Sequence, residues 1–303
     1  MTVTKRQSSR KSKLPLHLML LPAVILTLIF AYLPMAGIVI AFQNYKPWLG
    51  IRHSEWVGFD NFNYLFDYPD SRQVILNTLV IAGMKIVVGM IVPITFALLL
   101  NEVRKSAFKR TVQTLVYLPH FLSWVILGGI LIDMLSPTGI VNHVLVQLFG
   151  IKPVFFLGNG NWFRFTVITS DVWKEFGFAT IVYLASLAGI NPALYEAAEL
   201  DGASRWKQTL HVTIPGILPI IIVVGTLALG NILNGGFDQI FNLYNPLVYH
   251  KGDIVDTFVY RFGLEQGQLS FATAVGLFKS AVSMVVIVIS YFLAYRFANY
   301  RIF

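Results

Sequence analysis

From Leu18 to Phe42 the chain carries no charged side chain. As a helix at 1.5 Å per residue, such a run exceeds the hydrocarbon thickness of a bilayer, about 30 Å. A second uncharged run covers Val212 to Phe237, and four further apolar stretches hold one to three charges each. A chain with this many long apolar runs cannot hide them all in one aqueous core. Its composition agrees: 56% of residues are apolar, 13% are charged and mean hydropathy is +0.66. Soluble domains carry about 25% charged residues. The absence of cysteine excludes disulfides and thiolate metal sites.

The predicted fold is therefore an all-α polytopic membrane protein with six transmembrane helices. The expected spans are about 15–42, 73–100, 112–135, 165–190, 212–236 and 271–297, after a basic tail over 1–13. A cleaved leader would have an apolar region of about 7–15 residues, shorter than the first run. Lys85, Asp171, Lys174, Glu175 and Lys279 fall within spans. Charges at that depth are costly and are expected to face protein or a water-filled cavity. Lys85 is expected to form an internal ion pair, and Asp171, Lys174 and Glu175 lie close enough to pair along one helix.

Basic residues set the orientation. Thirteen lie on the side of the amino terminus: Lys5, Arg6, Arg10, Lys11, Lys13, Arg104, Lys105, Lys109, Arg110, Arg205, Lys207, Arg296 and Arg301. Seven lie opposite: Lys46, Arg52, Arg72, Lys152, Arg164, Lys251 and Arg261. The excess places both termini, and the polar segment 191–211, in the cytoplasm. The net charge of +8 is thus a topology signal, not a nucleic-acid footprint.

That segment, 191–211, is a polar island between two apolar runs. Asn191 is a helix cap and Pro192 suits the first turn. Gly202 is the natural stop, Ser204 caps a second short helix, and Pro215 opens the next apolar one. The result is a small-faced helix–turn–helix at a membrane surface, suited to docking rather than catalysis.

The residues Glu196-Ala-Ala, Asp201-Gly-Ala203, Trp206, Ile214-Pro215 and Pro219 resemble the EAA motif of ABC-importer permeases, in the form found in the maltose-type carbohydrate uptake family. Thr209 stands where an aromatic is common. Val57-Gly-Phe-Asp-Asn-Phe62 is similar to the first outside loop of sugar-importer permeases. Asn234-Gly-Gly-Phe-Asp-Gln239, Asn245-Pro246 and the stretch 253–260 resemble the branch that takes up oligo- and polysaccharides, including alginate-type and pectin-fragment importers.

The resemblance implies the type I ABC importer transmembrane-domain fold and no enzymatic activity in this chain. It implies that Glu196, Ala197, Ala198, Asp201, Gly202 and Ala203 contact an ATPase. It also implies partners: a second homologous permease, two ATPase subunits, an extracellular or periplasmic solute-binding protein, and an oligosaccharide substrate, all at the bacterial cytoplasmic membrane. No G-x-x-x-x-G-K-[ST] phosphate loop is present, so ATP and Mg belong to partner subunits and this chain holds no cofactor or metal. Sugar sites combine aromatic faces with amides and carboxylates. The candidate sugar path is Asn231, Asn234, Asp238 and Gln239, with Trp173, Tyr183, His120 and Lys85. The rival reading is an ion-coupled secondary transporter or channel, in which the intramembrane charges carry the coupling.

Overall fold

The computed structural model describes residues 14–298. The expected basic tail and the closing residues 299–303 lie outside the described residues.

The first apolar run opens as α1 (Leu14–Thr27) and tightens through a π turn, Leu28–Tyr32, into a 3-10 stretch, Leu33–Phe42. A short outer segment follows. Strands β1 (Gln43–Asn44) and β2 (Glu55–Trp56) pair antiparallel, Gln43 opposite Trp56, around α2 (Gly50–His53). Helix α3 (Asp60–Asp67) leads into α4 (Ser71–Asn101). Then come α5 (Ser106–Tyr117), α6 (Trp124–Leu135), α7 (Ile140–Phe149) and α8 (Gly160–Ala188). The polar island forms α9 (Pro192–Leu200) and α10 (Arg205–Gln208), which runs through a π turn into α11 (Ile214–Gly230). The outer segments α12 (Phe237–Leu243), α13 (Tyr249–Gly252) and α14 (Val255–Tyr260) precede the final α15 (Leu269–Ala298).

Among the described residues five helices are long and apolar enough to cross a membrane: 17–42, 71–101, 124–149, 205–230 and 269–292. The sixth is α8, whose apolar length counts together with α9, bent from it by 69°.

Three boundaries differ from those expected. The helix expected over 112–135 is broken. Leu118–Phe121 is 3-10, Leu122 is extended and Ser123 caps α6 by accepting from the Ile126 amide. Pro119 lacks the N–H that a continuous helix would use. The freed carbonyl of His120 instead accepts a 2.9 Å hydrogen bond from Lys174 Nζ on α8. Helix α8 starts at Gly160, earlier than expected, because the Asn159 carboxamide accepts from the Asn161 and Trp162 amides. Helix α11 stops at Gly230, before the Gly235-Gly236 pair that was expected to end it.

Helices α4 and α8 pack along their lengths, and α15 packs against α11 and the 3-10 end of the first element. Three apolar clusters hold them. One joins Ile81, Phe163, Val167, Ile240 and Ile254. A second joins Leu65, Val74, Phe258, Phe262 and Phe271 on the side of the outer loops. The third joins Ala97, Tyr183, Leu187 and Ile217 on the side of the island. Gly177 lies where α8 meets α5: a Cβ there would stand 2.1 Å from the Val116 carbonyl oxygen. Close backbone approach at small residues is how helices associate without a hydrophobic drive between them.

Buried polar groups fasten the outer loops. Asn77, fully buried, donates to the Asp253 carbonyl at 3.1 Å, and Arg164 donates to the Lys251 carbonyl at 2.8 Å. Burial pushes the Asp253 carboxyl up, while the Arg261 guanidinium and Thr257 hydroxyl hold it the other way. On the opposite side, an exposed Arg205–Glu102 pair at 2.7 Å joins the island to the α4–α5 loop. The two sets of loops thus separate to opposite ends of the bundle.

Candidate functional site

The break between α11 and α12 shapes the first candidate site. After Gly230 the chain turns through Asn231–Leu233, and Gly236, at φ +89°, caps α12. A Cβ at Gly236 would lie 2.8 Å from Lys85 Nζ, so glycine is needed both for the backbone and for the close approach. An ammonium has three N–H donors. Lys85 directs its donors to Asp171 at 3.1 Å, the Gly235 carbonyl at 2.9 Å and Gln239 Oε1. Gln239, fully buried, donates in turn to the Val167 carbonyl at 2.8 Å and Ser170 Oγ at 2.9 Å. Lys85 therefore clamps the broken segment of one helix onto α4 and α8.

Two cavities meet at this break. The first, about 360 Å³, is lined by Lys85, Met90, Asp171, Val224, Asn231 and Asn234 among others. The second, about 430 Å³, is lined by Asn231, Asn234, Lys279, Ser280, Ser283 and Met284 among others. Asn231 and Asn234 are exposed and belong to both. Asn231 directs one amide N–H to the Leu227 carbonyl at 3.4 Å, and Asn234 accepts from the Gly236 amide at 3.2 Å. Both keep polar capacity for a ligand.

The structure brings together part of the expected sugar path. Lys85, Asn231 and Asn234 line one cavity, with Gln239 bound beneath it to Lys85. Asp238 is exposed at the start of α12, outside the lining of both cavities. Trp173 is half exposed on α8, also apart from them. His120 sits at the α5–α6 break, its ring stacked on Phe178 at 4.1 Å and its Nδ1 2.7 Å from Glu175. Tyr183 is 1% exposed in the third core cluster, because Ala97 and Ile217 close over it. It faces no cavity at the break, and its place in the path is withdrawn. Polar residues that line these cavities but were not among the expected path residues are Asp171, Lys279, Ser280 and Ser283. Asp171 and Lys279 were legible as intramembrane charges, but Ser280 and Ser283 had no signal in the sequence.

Lys85, Asp171, Lys174, Glu175 and Lys279 are each paired, Lys174 with Glu175 along α8 as expected and the others across elements. Asp171 bonds Lys85 on α4, and Glu175 bonds both Lys174 and His120. Lys279 bonds Asp256 across from α14.

The second candidate site is the island. Asn191 accepts from the Ala193 amide, Pro192 takes the first turn and Ser204 accepts from Lys207, as the sequence anticipates. Gly202 stands at φ +73°, and the Ala203 amide closes back on the Ala198 carbonyl at 2.9 Å. Glu196, Ala197, Asp201 and Gly202 are exposed, and Ala198 and Ala203 half-buried. Leu200 and Trp206 stand 89% and 76% exposed beside them, an apolar ledge that no described residue covers. The Tyr195 hydroxyl meets Thr213 Oγ1 at 3.0 Å and ties α9 to the start of the continuous element running from 205 to Gly230.

A family model described as "Binding-protein-dependent transport system inner membrane component" matches residues 85–302. The chain belongs to that family. These permeases are transport subunits of the membrane, not enzymes. The permease is 44% identical to the polygalacturonan/rhamnogalacturonan transport system permease protein YteP of Bacillus subtilis (strain 168), over 95% of this chain and 90% of the relative. It is 43% identical to protein LplB of the same organism, over 95% and 91%. Its fold matches a chain of a bacterial ABC transporter involved in the import of the acidic polysaccharide alginate, with a TM-score of 0.87, 42% identity and coverage of 94% and 96%. A second match, TM-score 0.86 at 41% identity over 94% and 95%, comes from the alginate transporter in complex with an alginate pentasaccharide-bound periplasmic protein.

Proposed function

We propose that this permease conducts oligosaccharides into the cell as one half of the membrane channel of an ATP-driven importer. A second permease completes the channel, two ATPase subunits supply ATP and Mg, and an external binding protein delivers the sugar. Both termini and the island then face the cytoplasm. The observation that carries the reading is the pair of cavities meeting at Asn231 and Asn234. Amides that present free donors and acceptors to a wet cavity match sugar hydroxyls, and broken helices at membrane depth are tolerated where they line such a cavity. The relatives named for polygalacturonan and for alginate support the substrate class.

The mechanism follows from the connections of the island. ATP binding closes the ATPase dimer and displaces α9. The displacement passes through the Tyr195–Thr213 bond into the element that runs from 205 to Gly230. That element ends at the break, so motion at the island moves the cavity amides, and rocking of the two permeases exposes them to one side and then the other.

Truncating a group that bound substrate buries and hydrogen-bonds costs about 1–3 kcal/mol. Asn231→Ala and Asn234→Ala are each expected to lower uptake at sub-saturating sugar about tenfold or more, by the same arithmetic. Assembly and basal ATP hydrolysis stay as in the wild type. Wild-type uptake rates in both variants would place the path elsewhere.

A further inference from the structure

We propose that Lys279 reads the carboxylate of an acidic sugar, which makes the second cavity a subsite for uronate-type oligosaccharides. The inference rests on the sugar path proposed above and narrows its substrate class. Its basis is the contrast between two intramembrane lysines. Lys85 has all three donors spent on protein, and Asp171 shares its cavity. Lys279 bonds a single partner among the described residues, the Asp256 carboxylate, and that aspartate is not among the residues lining the second cavity. Among the described residues, that cavity is lined by no carboxylate at all. It presents instead one ammonium, two carboxamides and the serines Ser280 and Ser283.

Two N–H donors of Lys279 are therefore left for a ligand. Its side chain is 21% exposed, so a ligand in the cavity reaches it. Carboxylate and ammonium form short, charge-assisted hydrogen bonds, roughly twice as strong as neutral ones. The amides and hydroxyls around it match the neutral hydroxyls of the same ring. Asp256 already balances the charge of Lys279, so what a carboxylated ring gains over a neutral one is the stronger charge-assisted bonding to the two remaining donors. An intramembrane charge with unspent donors beside a cavity is best accounted for by such a ligand.

The test measures trigalacturonate binding to the solubilised, fully assembled importer without its binding protein, beside the uncharged trisaccharide made by reducing its carboxyl groups. The wild type is expected to prefer the acidic sugar. Lys279→Gln is expected to weaken trigalacturonate about tenfold, the loss of one charge-assisted bond, and to leave the uncharged sugar unchanged. Lys279→Arg retains the preference. The double variant Lys279→Gln with Asp256→Asn, which leaves no orphaned charge, loses the preference like the single one. Equal losses for both sugars, an unaffected Lys279→Gln, or a wild type without preference would each overturn the proposal. Asn231→Ala separates the two readings: if it weakens both sugars while Lys279→Gln alters neither, the subsite alone is wrong. If Asn231→Ala also alters neither, the path itself is wrong.

Discussion

Gly202→Asp is expected to leave the permease folded and in the membrane while reducing substrate-stimulated ATP hydrolysis to the basal rate. Gly202 stands at φ +73° at the turn after α9. Aspartate is among the residues that tolerate this left-handed conformation, so the backbone cost is small. A Cβ there meets nothing within 4 Å among the described residues. What the new side chain would disturb is therefore on the ATPase subunit proposed to cover Glu196, Leu200 and Trp206. One overpacked side chain costs about 1–3 kcal/mol, and an extra desolvated carboxylate adds to it. The measurement is ATP hydrolysis by the purified complex, with and without sugar-loaded binding protein. Normal stimulation in a complex that co-purifies with its ATPase would remove the island from the docking site.

Gly177→Val is expected to abolish the folded protein. The added Cβ would stand 2.1 Å from the Val116 carbonyl oxygen and 2.6 Å from its carbon. These are backbone atoms just before the α5–α6 break and cannot swing aside. Separating α8 from α5 also pulls Lys174, 6% exposed, from the His120 carbonyl and leaves it Glu175 alone as a hydrogen-bond partner. Overpacking combined with a broken buried network belongs to the rare class above about 4–5 kcal/mol. A matched control is Gly225→Ala, where the contact is the flexible end of Met90 at 3.1 Å. Detergent size-exclusion chromatography of fluorescent fusions is expected to show a monodisperse peak for Gly225→Ala and none for Gly177→Val. A monodisperse Gly177→Val with wild-type thermal stability would contradict the packing described.

What the sequence made legible was local. Asn191, Pro192, Gly202 and Ser204 act within a few residues of themselves, and each does what its chemistry anticipates. The apolar runs located the helices because burial in lipid depends on composition over long windows. Interruptions were harder. Pro119 signalled a weak point, but membrane helices tolerate proline, and the group that accepts the break is Lys174, distant in sequence. The stop at Gly230 rather than Gly235 depends on Lys85, which holds the Gly235 carbonyl from another helix. Of the candidate sugar path, the amides Asn231 and Asn234 do line the two cavities, while the aromatic faces do not. Tyr183 was assigned to it on residue type alone, and packing against Ala97 and Ile217 takes it away. Lys85 and Lys279 look alike in the sequence. Which of them has spent its donors is a property of three-dimensional contacts.

The central claim is that transport through this chain is driven from the island by ATP. Proteoliposomes carrying the permease with its partner permease and ATPase subunits, supplied with binding protein and labelled trigalacturonate, test it directly. Uptake is expected to require ATP on the island side and to persist when an ionophore collapses the proton gradient. Uptake that continues without ATP and disappears with the gradient would contradict the account and make the paired intramembrane charges Lys85, Asp171 and Glu175 the coupling elements of a secondary transporter.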